Sequence, residues 1–227
     1  MKKVLSIFIF TLLSFLSYAQ PAFRHVYGSD YSLLPETYIS EEYKNRLKNL
    51  FEVNYCFQSV MSIPASKAKG YTCAQMLKKL DQMGGLDKEC YGVSYINADG
   101  ERKAMFKKAE LSRNGHELYI KDKAAGGLNF DFRVEEKAFG EGQKLYAVTA
   151  VLNKNPANIL LRELKKDEAA IFVLMKEDSE KIELYVLIQC TYSPMKYRLL
   201  KRIVENAVMS RVLEVQNWFY RMLCQEN

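Results

Sequence analysis

Apolar residues recur at three- and four-residue steps through the last part of the chain, at Leu199, Leu200, Ile203, Val204, Ala207, Val208, Val212, Val215, Phe219 and Met222. Lys201, Arg202, Glu205, Glu214 and Arg221 fall between them, so the period predicts one amphipathic helix from Pro194 to about Leu223. Ser193 suits its N-cap and Pro194 its first helical position. A stripe that broad must be buried against something. Immediately ahead of it the period changes to two: "AAIFVLMKE" and "KIELYVLIQC" flank Asp178-Ser179 as a hairpin, with Ile182, Leu184, Val186 and Ile188 on one face of the second arm.

Further upstream the pattern is that of antiparallel sheet. "CYGVSYI" and "ERKAMFKKAEL" flank Asn97-Ala98-Asp99-Gly100, where Gly100 supplies the positive φ that a tight turn needs. "HELYIKD" follows Asn114-Gly115, and "NFDFRVEE" follows Gly126-Gly127. In the latter, Phe130, Phe132 and Val134 alternate with Asp131, Arg133 and Glu135, which predicts one buried and one wet face. "KLYAVTAVL" is apolar on both faces. "ANILLREL" reads as a short helix with Asn155 as cap and Pro156 at its first position.

Toward the N-terminus, "PAFRHVYGSDYSLLPETYIS" has no clean period and reads as an extended segment or loop. Ser40 is the expected N-cap of a helix to about Leu50, with Glu41 and Glu42 in its first turn and Tyr43, Leu47 and Leu50 on its apolar face. From Phe51 to Ile63 apolar residues alternate, which suits a strand ending at Pro64, while a continued helix competes. "CAQMLKKLDQM" is a short amphipathic helix stopped by Gly84-Gly85.

The first residues carry a different message. Lys2 and Lys3, the apolar stretch Val4 to Leu16, and the small residues of Ser17-Tyr18-Ala19 have the layout of an export signal cleaved after Ala19. Thirteen apolar residues at about 1.5 Å each reach only about 20 Å, short of the roughly 30 Å hydrocarbon core. The expected product is a periplasmic or secreted protein, residues 20–227 forming one α+β domain, with no transmembrane segment in the mature chain. The first Cys is Cys56, so no acylated N-terminal Cys is indicated. Loss of Lys2 and Lys3 lowers the 33 basic residues to 31 against 27 acids, a net charge of +4. A balance that mild argues for no nucleic-acid partner.

Five cysteines remain: Cys56, Cys73, Cys90, Cys190 and Cys224. In an oxidising compartment Cys73 and Cys90 are the first candidate disulfide, closing a loop whose constraint contributes about 3 kcal/mol in the chain-entropy model. Cys190 and Cys224 fail on geometry, because the ends of a straight helix between them lie on the order of 45 Å apart. No CxxC is present and the histidines are only His25 and His116, so no metal site is expected.

The order of elements resembles the helix-grip arrangement of START-like and Bet v 1-like proteins. The hairpin of Ile171 to Met175 with Ile182 to Cys190, running into the helix from Pro194 to about Leu223, carries the resemblance; it covers about Cys90 to Leu223 and rests on layout, without a family motif. The region Ser40 to Met83 has no assured counterpart. The fold expected is therefore α+β: a curved antiparallel sheet of about six to eight strands, a long C-terminal helix packed across it, and a small N-terminal helical region. What the resemblance implies is a space between sheet and helix that holds a lipid or other apolar small molecule, or that large side chains fill. Phe130, Phe132, Val134, Val173, Met175, Leu184, Val186 and Ile188, under Leu200, Ile203 and Ala207, are the candidate lining of such a cavity and equally a candidate core.

Catalytic chemistry finds little support. There is no GxSxG, no phosphate-cradling loop, no HExxH and no dinucleotide fingerprint. His25 lies in the irregular lead-in and His116 beside a turn; the acids Glu135 and Glu136, or Glu177, Asp178 and Glu180, occupy strand ends and turns where solvation is the simpler reading. No catalytic residue and no cofactor are expected. Lys196, Arg198, Lys201 and Arg202 crowd the start of the last helix, against the dipole by a few tenths of a kcal/mol each, roughly. They form a basic patch that either docks an anionic head group or membrane surface or is a solvated face offset by Glu205. The expected function is apolar-ligand binding without catalysis. The alternative is a structural protein with a filled core whose partner is another envelope protein.

Overall fold

The computed structural model describes residues 21–85, 92–138, 142–158, 161, 163–191 and 198–224, the last helix without side-chain description at 198–200. The chain is an α+β protein built on an eight-stranded antiparallel sheet, with a long C-terminal helix packed on it and a small helical region nearer the N-terminus. The strands are β1 (Ala22–Val26), β2 (Tyr55–Pro64), β5 (Phe106–Leu111), β6 (Glu117–Asp122), β7 (Gly126–Ala138), β8 (Lys144–Leu152), β9 (Ala169–Glu177) and β10 (Lys181–Cys190), in the order β1-β2-β10-β9-β8-β7-β6-β5. A separate two-stranded sheet joins β3 (Ser94–Ile96) to β4 (Arg102–Ala104). The helices are α1 (Ser40–Lys48), α2 (Cys73–Leu77), followed by a 3-10 turn at Leu80–Met83, and α3 (Arg198–Cys224).

Local chemistry accounts for most of these elements. The β9–β10 hairpin turns because the Asp178 carboxylate accepts from the amides of both Glu180 and Lys181 at 2.9 Å, reproducing a backbone turn with its side chain. The β3–β4 turn works the same way through Asn97, whose Oδ1 accepts from Asp99 and Glu101, while Gly100 takes a φ of 78°. Thr72 caps α2 and exchanges bonds reciprocally with Gln75, a capping box. Ser40 does not cap α1 as expected. Its hydroxyl instead accepts from the Thr37 amide at 2.7 Å and donates to the Pro35 carbonyl, so it closes the turn ahead of the helix. Asn155 likewise accepts from the Lys166 amide, tying together the ends of the loop before β9. Of the short helix expected within that loop, Ile159, Leu160 and Arg162 lie outside the described residues; the rest turns tightly, the Leu161 amide donating to the Asn158 carbonyl and the Leu164 amide to the Leu161 carbonyl.

The centre of the sheet, β2, β10, β9 and β8, is buried on both faces, and this decides how the molecule is layered. Alternate residues of β2, β8, β9 and β10, among them Phe57, Met61, Tyr146, Met175 and Leu184, face α3, α2 and the 3-10 turn. The intervening residues, Tyr185, Leu187, Phe172, Leu174 and Leu145, face α1 and the segment before it, Tyr31 to Ile39. The aperiodic lead-in is therefore a layer: β1 extends the sheet beyond β2, and the following loop covers the second face. Buried amides hold it there, with Tyr31 donating to Gln189 at 3.0 Å, Gln189 to the Leu47 carbonyl at 2.9 Å, and the Leu33 amide to Gln58 at 3.0 Å. Phe51 to Ile63 resolves as a strand only from Tyr55; Phe51 and Val53 precede it. At the far edge, the Gly85 amide bonds the Phe106 carbonyl, and a Cβ on Gly84 would stand 2.5 Å from the Ala109 amide nitrogen, so only glycine permits this closure of β5.

Candidate functional site

The helix α3 crosses β2 and β10. Three hydrogen bonds fix its direction: buried Gln216 donates to the Leu184 carbonyl at 3.2 Å and accepts from Ser59 at 2.6 Å, and Glu205 accepts from the Tyr27 hydroxyl at 2.5 Å. The Tyr27 ring lies tilted against Tyr55, centroids 5.8 Å apart, and Tyr55 pairs with Cys190 at the end of β10. The helix thus starts over the end of β10 and runs back toward its beginning.

At about 100° per residue, the side of α3 turned to the sheet passes through Glu205, Val208, Met209, Val212, Gln216, Phe219 and Leu223. Val212, Gln216, Phe219 and Leu223 are buried, and so is Trp218 on the flank. Val208 and Met209 are only half buried although they pack on the same core. The ends of β9 and β10 are half buried too: Ile188 opposite Ile171, and Cys190 opposite Ala169. An apolar seam therefore closes from Val212 onward and stands partly open before it. Arg211 marks the boundary. Its guanidinium holds the Asp122 carboxylate through two bonds of 2.7 and 2.8 Å, and Asp122 also accepts from the Ala124 and Ala125 amides. Burial pushes the Asp122 carboxyl up, but Arg211 and those amides outweigh it and hold it below the ordinary carboxylate range.

The predicted lining residues separate accordingly. Phe130, Phe132, Val173, Met175, Leu184 and Val186 are buried in the closed part, and Ile188 borders the open part. Val134 is 41% exposed, because β6 stops pairing with β7 at Asp131 and leaves that flank of β7 uncovered. Ile203 is 62% exposed, and Ala207 is half buried. The inward line differs from the one the apolar period predicts: polar Gln216 lies on it, and Ile203 stands about 180° and Ala207 about 140° from Val212 around the helix. The Leu200 side chain lies outside the described residues.

Of the basic patch, Lys196 and the Arg198 side chain also lie outside the description. Arg202 is exposed, whereas Lys201 stands over the Tyr27 ring with its Nζ 4.7 Å from the centroid. His25, on β1, brings Nδ1 to 3.7 Å from the same Glu205 carboxylate. His25, Tyr27, Lys201 and Glu205 thus form a polar cluster at the mouth of the seam, which spacing alone did not reveal because the first two precede the last by most of the chain. His116 is exposed in its turn. Glu135 is not free in solution as expected: it pairs with Arg46 of α1. Cys73 is buried at the start of α2, and its expected partner Cys90 lies outside the described residues.

Elsewhere, an open cleft of about 620 Å³ lies along β5 and β6, with Asp81, Lys108, Glu117, Tyr119 and Asn153 among its lining residues. None of the predicted site residues lines it. Among the described residues no group of three or more His, Cys, Asp or Glu is placed to hold a metal ion, and no helix is long and apolar enough to cross a membrane. No family model, curated protein or solved structure matches this chain. The fold class stands on its own geometry.

Proposed function

We propose that this is an exported, non-catalytic protein that binds a lipid or other apolar small molecule in the open part of the seam between α3 and the ends of β9 and β10. One observation carries the reading: the sheet-facing line of α3 is buried at Val212, Gln216, Phe219 and Leu223 but only half buried at Val208 and Met209, and Ile171 and Ile188 at the ends of β9 and β10 are half buried too. Apolar surface left half wet contributes roughly 25 cal/mol for each Å² that an apolar ligand would cover. The export-signal layout of the first nineteen residues supports a periplasmic or secreted location.

The closed part favours a second reading, a protein with a filled core that acts through an envelope partner. Met76, Leu80, Met83, Trp218 and Phe219 occupy the space beside the sheet there. Exposed Ile203 on the outer side of α3 would then belong to the partner surface.

Val208→Trp separates the two. In an open seam the indole takes the ligand's place: solvent-extractable apolar material co-purifying with the protein is lost, and unfolding free energy in urea changes by less than about 1 kcal/mol. In a filled core the larger ring costs about 1–3 kcal/mol and wild type yields no extractable ligand, a result that overturns the proposal.

A further inference from the structure

The second face of the sheet is covered unevenly, and the cleft along β5 and β6 lies where cover is missing. Among the described residues, the core built on that face by α1 and the lead-in draws on β2, β8, β9 and β10 and includes none from β5, β6 or β7. There the register sets four side chains in one line: Glu110 opposite Tyr119, Tyr119 opposite Asn129, and Asn153 beside Asn129, whose carbonyl accepts from the Asn153 amide. Their chain neighbours Ala109, Leu118, Phe130 and Leu152 belong to the core under α3, so alternation puts all four on the opposite face. All four line the cleft, whose volume of about 620 Å³ is that of a small-molecule site. Tyr119 lies down against the sheet. Its Oη and Cε2 stand 3.0 and 3.1 Å from where a Cβ on Gly127 would be, so the ring rests on the β7 backbone. Gly127 has no left-handed φ, and the close approach of this ring is what calls for glycine there.

A ring held flat on a sheet turns its other face outward, and a π face of that kind is the surface on which the C–H side of a sugar ring stacks. Beside it, Glu110 offers acceptors and Asn129 both a donor and an acceptor. The ionisable lining balances, Lys108, Arg113 and Lys154 against Asp81, Glu110 and Glu117, and Lys108 already pairs with Glu110 at 2.5 Å. A charged ligand therefore meets no net opposite charge, whereas hydroxyls, each donor and acceptor at once, suit a mixed lining. We infer that this cleft binds a neutral saccharide of one or two rings, stacked on Tyr119 and hydrogen-bonded by Glu110 and Asn129. The site is separate from the seam under α3, so the inference stands or falls independently of the apolar-ligand reading.

The test is saturation-transfer difference NMR titration of the purified protein with cellobiose, maltose and N,N′-diacetylchitobiose as neutral probes and digalacturonate as the charged one. At least one neutral disaccharide is expected to bind, and to bind more tightly than digalacturonate. Tyr119→Ala should weaken that binding roughly two- to ten-fold, the range of one aromatic stacking contact, whereas Tyr119→Phe keeps the ring and should bind as wild type does. Asn129→Ala should weaken it roughly three- to ten-fold, the range of one neutral hydrogen bond; if Tyr119→Ala does not fold, this variant decides in its place. Lys121→Ala is the control: Lys121 is exposed on the same face, opposite Gly127, but outside the cleft lining, and its loss should leave binding unchanged. Failure of wild type to bind any of the three neutral probes overturns the inference. So does tighter binding of digalacturonate, and so does equal binding by wild type, Tyr119→Ala and Asn129→Ala.

Discussion

The two halves of α3 share one sequence pattern and meet different surroundings. From Val212 to Leu223 the helix lies on β2 and β10 and is flanked by α2, and its inward residues are shut from water. From Lys201 to Met209 the helix is met by Tyr27 of the lead-in, and Val208 and Met209 stay only half buried. A hydrophobic period reports that a face wants burial. Whether the fold completes that burial depends on what α2 and the lead-in reach.

The sharpest way to break this contrast is to truncate on each side of the boundary. Trp218→Ala removes a fully buried indole and is expected to cost about 3–5 kcal/mol in urea unfolding. Arg211→Ala tests the boundary itself. It leaves Asp122 buried with only its two amide donors, at about 3 kcal/mol, near the low end for a broken buried pair because the Arg211 side chain keeps 23% exposure.

The pair also predicts a pH dependence. Because the folded Asp122 pKa is lowered, its contribution is complete above the unfolded value of about 3.9 and is lost as pH falls through the folded value. Wild-type stability should therefore fall more steeply with acid below about pH 4 than that of Arg211→Ala, as urea midpoints across this window would show. The smallest effect belongs to the open half: Ile203→Ala, at 62% exposure, should change stability by no more than about 0.5 kcal/mol. A cost near that of a core position would show that α3 is enclosed along its whole length.

Much of the architecture was legible from period and turn chemistry. The β9–β10 hairpin, the β3–β4 turn at Asn97 to Gly100, the alternation of β7 through Phe132 and the two-sided burial of β8 all follow rules that act over a few residues. The lead-in was opaque because its order comes from distant partners: Tyr31 bonds Gln189 of β10 and the Leu33 amide bonds Gln58 of β2. The site was legible in part. Phe130, Val173 and Leu184 alternate as core residues should, but apolar positions alone misplaced the inward line of α3, since buried Gln216 is polar and exposed Ile203 is not. Alternation places Tyr55 in a strand, and nothing in one sequence signals that its hydroxyl has no partner among the described residues.

The central claim is that the first half of α3 roofs an occupied apolar seam. Native mass spectrometry of the purified protein, followed by solvent extraction, tests it most directly. The account predicts a stoichiometric apolar mass that Val208→Trp abolishes. A clean apoprotein mass, unchanged after incubation with a lipid extract, would contradict it and leave α3 a clasp on a filled core.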